Sequence, residues 1–299
     1  MLTFESQIRN HYINHMEDLT NSLNFDLRMK AENIRKRTIE IIYAAKAGHT
    51  GGSLSSVEIE TVLFFAVLDV DPAHPEKKDR DRFILSKGHS VEALYATLET
   101  RGFLSCNVVN TYGQYLSPLS GHPTKKVPGV ELNSGALGHG LSVGVGLSIA
   151  HKMDGRYAKT FVLMGDGEQG EGSIYEAAMS ASHYHLDNLV AIIDRNRLQI
   201  SGRTEDIMSI EPMRQRWEAF GWDVFESNGN DVEALMNVFS QMDYTNKKPK
   251  LLIAHTTKGN GISYMENVAK WHHGVPTKEQ YQQAMEEIDK RIVQIRQNA

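Results

Sequence analysis

Two short segments of this chain carry residues suited to holding a divalent ion and a phosphate. Gly165-Asp166-Gly167 directly follows an apolar run at 161–164 and precedes a helical pattern. In open α/β sheets ligands collect beyond the carboxyl ends of strands, and glycines there let backbone N–H groups approach phosphate oxygens. Asp166 adds a hard oxygen for Mg²⁺ or Ca²⁺. A second apolar run, 189–193, ends in Asp194-Arg195-Asn196, so Asn196 leaves a neighbouring strand at the same edge. Asp166 and Asn196 can therefore share one cation that also holds a diphosphate. The plainer alternative is that each segment merely turns the chain.

Thirteen histidines are present, and among those that follow a glycine or sit in a glycine turn four stand apart: His49, His89, His122 and His273. A loop of that kind presents an imidazole to a cleft, where it can donate to phosphate or move a proton. The helix after the first motif begins with Glu168, Glu171 and Glu176, which a solvated helix start would also favour.

These residues need a scaffold. Leu27, Ala31, Ile34, Thr38, Ile41 and Ala45 recur at steps of four and three, which predicts a helix over 24–46, stopped by Gly48. The runs 161–164 and 189–193 read as strands buried on both faces, with 222–225 and 251–254 as two more. Helical stretches near 170–186, 212–220 and 231–242 separate them. This alternation predicts an α/β fold with a doubly wound, mostly parallel sheet flanked by helices. The expected division is an arm at 1–23, the α/β domain at 24–276 and a terminal helix at 277–299. That helix carries the stripe Tyr281, Met285, Ile288, Ile292 and Ile295, which could dock on a partner or on its own domain. Gly144 and Gly146 are expected to let a helix pack closely on the sheet.

Composition narrows the class. The chain has 299 residues, 40% apolar and 23% charged, with a net charge of −5. There is no basic footprint for nucleic acid. The longest apolar run, 62–68, is too short to cross a bilayer. One cysteine, Cys106, excludes an intramolecular disulfide and points to a reducing, cytoplasmic setting.

Six blocks in order resemble the transketolase family over roughly residues 20–276. They are Ala47-Gly48-His49-Thr50-Gly51-Gly52, the stretch from Asp81 to His89, Ser120-Gly121-His122-Pro123, Gly135-Ala136-Leu137-Gly138-His139-Gly140, the stretch from Gly165 to Gly172, and His272-His273-Gly274. The resemblance implies the diphosphate-binding domain of a thiamine diphosphate fold. It assigns Mg²⁺ (Ca²⁺ or Mn²⁺ could replace it) to Asp166, Asn196 and the Leu198 carbonyl. His89, His273 and the Gly167 amide would face the diphosphate, beside Gly165 and Glu168. Gly135 and Leu137 would line the cofactor rings, with Ile200 nearby. His49, His122 and His273 would face the reacting hydroxyls and carbonyl of a ketose. Glu171 and Glu176 would belong to a polar network crossing the subunit interface. His139 stands where the family commonly carries Gln, and its role is open.

Transketolases of the usual kind are about twice this length, and only 26 residues follow His273. The resemblance thus implies the N-terminal subunit of a split enzyme, active only with a C-terminal, pyrimidine-binding partner, as an α₂β₂ heterotetramer. It would move a two-carbon ketol unit between sugars or sugar phosphates, in carbohydrate metabolism of the pentose phosphate kind. The donor is open: xylulose 5-phosphate, apulose phosphate or a sulfosugar. Competing readings are a subunit of a 2-oxoacid dehydrogenase, a 1-deoxyxylulose-5-phosphate synthase fragment, and a non-catalytic cofactor-binding scaffold.

Overall fold

A computed structural model describes residues 4–298, with side chains from residue 20 onward. Five strands form its sheet: β1 (Arg82–Leu85), β2 (Thr160–Gly165), β3 (Leu189–Arg195), β4 (Asp223–Asn228) and β5 (Lys250–His255). Their order is β1-β2-β3-β5-β4 and every pairing is parallel. The central strands β2, β3 and β5 are buried almost end to end, as their unbroken apolar runs require. β4 lies at the edge, where Asp223, Glu226 and Asn228 can meet water.

Helices cover both faces. In chain order they are α1 (Phe4–Ala45), α2 (Thr50–Ser55), α3 (Val57–Val62), α4 (Val91–Arg101), α5 (Cys106–Val109), α6 (Gly140–Met153), α7 (Gly172–His183), α8 (Thr204–Ile207), α9 (Met213–Ala219), α10 (Val232–Ser240) and α11 (Lys278–Gln297). Side chains alternate across each strand, so each face has its own core. Phe161, Leu163, Val190, Ile192 and Leu252 pack with residues of α3, α4 and α10. Val162, Met164, Ala191, Ile193 and Leu251 pack with residues of α6, α7 and α9. The doubly wound parallel sheet is therefore as the sequence predicts.

Several local expectations need correction. α1 starts at Phe4 rather than near residue 24, because no glycine or proline interrupts 4–45 and apolar periodicity marks only its packed part. It ends at Ala45, where Lys46 turns left-handed with φ 57°, ahead of Gly48. A Cβ on Gly144 would lie 2.6 Å from Val162, so this glycine does admit the sheet, whereas Gly146 faces open space. The stripe of α11 packs on its own domain: Ile288 joins Ile39, Leu54 and Trp271, and Tyr281 stacks on Tyr43 at 4.2 Å. Among the described residues no helix is long and apolar enough to cross a membrane.

Candidate active site

The parallel register fixes the centre of the site. Gly165 at the end of β2 pairs with Asp194 near the end of β3, so Asp166 and Asn196 leave adjacent strands at one edge. Both are buried. One Asp166 oxygen accepts from the Gly167 amide at 2.8 Å; the other accepts from the Arg195 guanidinium at 3.1 Å and the Arg197 amide at 2.5 Å. Arg195 is itself held by Thr204, Glu205 and Glu211. Burial and nearby Asp194 push the Asp166 carboxyl upward, and Arg195 opposes them. The Gly167 amide, expected to face a diphosphate, donates to this carboxylate, because the aspartate caps the turn that follows it.

The Asn196 amide is oriented at both ends. Its nitrogen donates to Asp194 at 3.1 Å, and its oxygen accepts from the Leu198 amide at 3.1 Å. Asp194 is fully buried, pairs with Lys87, and also accepts from Ser55 at 2.6 Å and from Thr256. The Leu198 carbonyl accepts from Lys258 Nζ at 3.1 Å, and that nitrogen lies 2.9 Å from His272 Nδ1. Burial and Lys87 bring Lys258 down to about 8.

Asp166, Asn196 and Leu198 offer one carboxylate, one amide oxygen and one carbonyl. The Asp166 oxygen that accepts from Gly167, the Asn196 oxygen and the Leu198 carbonyl each keep a lone pair beyond the bonds just described. Three hard oxygens fall short of the six that Mg²⁺ takes, so a ligand such as a diphosphate, with water, must complete the shell. Among the described residues no group of three or more His, Cys, Asp or Glu could hold a metal by itself. The donor set thus fits a cation bound together with phosphate oxygens.

The four histidines of the glycine loops do converge. The His49 ring centre lies 4.8 Å from that of His273, 5.3 Å from His89 and 6.1 Å from His122. A fifth, His272, lies 5.8 Å from His49 and stacks on His89 at 5.1 Å. Burial, then the neighbouring imidazoles of His273 and His122, lowers His49 to about 4. Burial and Lys258 lower His272 to about 3, while burial and Lys87 hold His89 well below its ordinary value. These three rings are neutral at neutral pH. His122 and His273 are the more exposed members, at the open side of the cluster.

The glycine loop before α6 closes the site from another side. A Cβ on Gly135 would meet the His122 ring at 3.1 Å, so only a glycine leaves the gap between them open. Leu137 is half-buried beside it. Glu168 proves to be buried rather than a solvated helix start. It accepts from the amides of Gly138 at 2.8 Å and Gly165 at 3.0 Å, and from Ser86. Its carboxylate ties three loops together. Glu171 and Glu176 are exposed, and Ile200 is 73% exposed at the rim. His139 lies outside the cluster, its Nδ1 3.0 Å from the Leu137 carbonyl.

Sequence reasoning passed over Lys87, Asp194, Lys258 and His272 as individuals. Lys258 follows β5 in a glycine-bearing loop, so the strand-end argument used for Asp166 applies to it equally. His272 was visible only as a neighbour of His273.

Relatives bear directly on this geometry. The profile of the transketolase family, thiamine diphosphate-binding domain, matches residues 27–289. An apulose-4-phosphate transketolase subunit of Phocaeicola vulgatus is 63% identical over 266 residues, covering 89% of this chain and 95% of that protein. The 6-deoxy-6-sulfo-D-fructose transketolase subunit SqwG of a Clostridium species is 36% identical, covering 89% of this chain and 97% of that one. Transketolase from Campylobacter jejuni superposes with a TM-score of 0.84 at 32% identity, over 88% of this chain and 42% of the longer one. The chain therefore belongs to the transketolase family, as its thiamine diphosphate-binding domain.

Proposed function

We propose that this chain is the cofactor-binding subunit of a split transketolase and transfers a two-carbon ketol unit from a ketose to an aldose together with a pyrimidine-binding partner. The observation that carries this reading is the convergence of five imidazoles, joined through Lys258 to the Leu198 carbonyl of the proposed cation site. Mg²⁺ would sit on Asp166, Asn196 and Leu198. His89 and Lys258 would face the diphosphate, with Gly135, Leu137 and Ile200 along the rings. When bound, thiamine diphosphate supplies a carbon nucleophile and an electron sink.

The residues of this chain then position sugar and protons. His49 is neutral, so it can accept a proton from a sugar hydroxyl and return it. His122 and His273 stand at the open side, where they can orient the carbonyl and the neighbouring hydroxyl. Glu171, exposed at the start of α7, is free to join a network with another subunit. The split arrangement rests on the near-complete coverage of relatives that are themselves named as transketolase subunits, and an α₂β₂ assembly with the partner is part of the proposal. Apulose 4-phosphate is the donor to test first, because the relative at 63% identity is named for it.

The test is ketol transfer by the chain alone, by a candidate partner alone, and by the two combined. Transfer only in the combination supports the proposal, and transfer by the chain alone refutes it. Discharge of pyruvate rather than ketose onto the cofactor would favour the 2-oxoacid or 1-deoxyxylulose-5-phosphate alternatives.

A further inference from the structure

Beneath the histidine cluster lies a buried acid that the proposed chemistry leaves unused. Glu92 and Tyr95 are three residues apart on α4, hence on one face. Both are fully buried. One Glu92 oxygen accepts from the His49 amide at 3.1 Å and from the Tyr112 hydroxyl at 2.7 Å; the other accepts from Ser53 Oγ at 2.7 Å. The Tyr95 hydroxyl donates to the Ser120 carbonyl at 3.1 Å, two residues before His122. The two tyrosine rings meet at 5.8 Å. His89 lies just before α4, so its loop is continuous with the helix that bears Glu92.

One turn of α4 thus touches the loops of His49, His89 and His122. An apolar residue would fill the same space but leave an amide and two hydroxyls without acceptors, each costly when buried. Resting on the transketolase reading of the site, we propose that Glu92, with Tyr95 and Tyr112, forms a platform that sets the mutual placement of these histidines. Glu92 is a positioning residue: it touches no reacting atom, and misplacing its clients by a fraction of an ångström to an ångström is costly to rate.

The test uses the full chain assembled with its partner, comparing Glu92→Leu, Glu92→Gln and Tyr112→Phe. Val238→Ala, in the core under α10, serves as a control for stability loss alone. Glu92→Leu should lower kcat/KM for the ketose about 10- to 100-fold, through both terms, measured at saturating thiamine diphosphate. Glu92→Gln keeps a carbonyl oxygen as acceptor and should recover kcat/KM to within about threefold. Wild-type turnover by Glu92→Leu at saturating cofactor would overturn the proposal, as would an equal loss in Val238→Ala. A second readout needs no turnover: imidazole ¹H–¹⁵N signals of His49 and His122 in the uncomplexed full chain should shift in Glu92→Leu and Tyr112→Phe but not in Val238→Ala. Unmoved signals would refute the platform. A wild-type complex that transfers no ketol unit would instead refute the transketolase reading and leave the imidazole result to decide the platform.

Discussion

Replacing Lys87 with Met should cost this domain several kilocalories, in a pH-dependent way that identifies the cause. Lys87 and Asp194 form an ion pair whose side chains are 2% and 0% exposed. Breaking one side of such a pair leaves a buried charge and typically costs about 3–5 kcal/mol. Lys87 also donates to the Gly52 carbonyl at 2.8 Å, a bond worth about 1 kcal/mol. Asp194 keeps donors from Ser55, Thr256 and Asn196, which favours the lower end of the range, so the expected loss is about 3–4 kcal/mol. In the native chain burial pushes the Asp194 carboxyl up, but Lys87 holds it below its ordinary value. Its contribution is therefore present above the unfolded carboxyl's pKa of about 4 and is lost as pH falls through the depressed folded value. In Lys87→Met burial meets only the weaker opposition of the remaining donors and raises that carboxyl. The variant then regains stability on acidification and loses it as pH rises through the raised value. The gap between the two proteins should be widest near pH 8 and narrow towards pH 5; loss of Lys87 also relaxes its hold on His89, which narrows the gap in the same direction. Urea unfolding followed by circular dichroism at the two pH values measures it. A loss under about 1 kcal/mol at pH 8, or a wider gap at pH 5, would refute the reasoning. Lys87→Met combined with Asp194→Asn should lose less than Lys87→Met alone, because no uncompensated charge remains.

Glu168→Ala removes the acceptor of two amides and a hydroxyl, so it should cost about 3 kcal/mol and weaken cofactor binding as the loops at 138 and 165 loosen. Thermal unfolding and calorimetry check both, and an unchanged melting temperature would contradict the bracing role. His49 and His272 titrate at about 4 and 3 in the folded chain, below the ordinary 6.5. The unfolded chain therefore binds protons that the folded chain refuses, and stability should fall as pH drops from 6.5 towards 4. His272→Gln should flatten that slope in a urea series over this range, and an unaltered slope would count against a neutral buried ring.

The sheet was legible because three strands are buried on both faces and therefore read as unbroken apolar runs. β1 was hidden inside a motif, since four residues at an edge give no periodicity, and β4 alternates too weakly to mark its own end. The site was legible where residue type and strand ends coincide, at Asp166, Asn196 and the glycine-flanked histidines. Glu168 was misread because a carboxylate at a helix start satisfies the dipole rule whether it faces water or three buried donors. Lys87, Asp194 and Glu92 were invisible for a related reason. Apart from the Asn196 amide beside Asp194, their partners lie 20 to 139 residues away, and only folding brings them together.

Calorimetric titration of thiamine diphosphate into the assembled complex, with and without Mg²⁺, puts the cation site at 166, 196 and 198 to its most direct trial. The native complex should bind tightly only with Mg²⁺. Asp166→Ala should lose that dependence together with most of the affinity, at an unchanged far-ultraviolet circular dichroism spectrum. Equal affinity in the two proteins, or binding indifferent to the metal in the native one, would contradict the account.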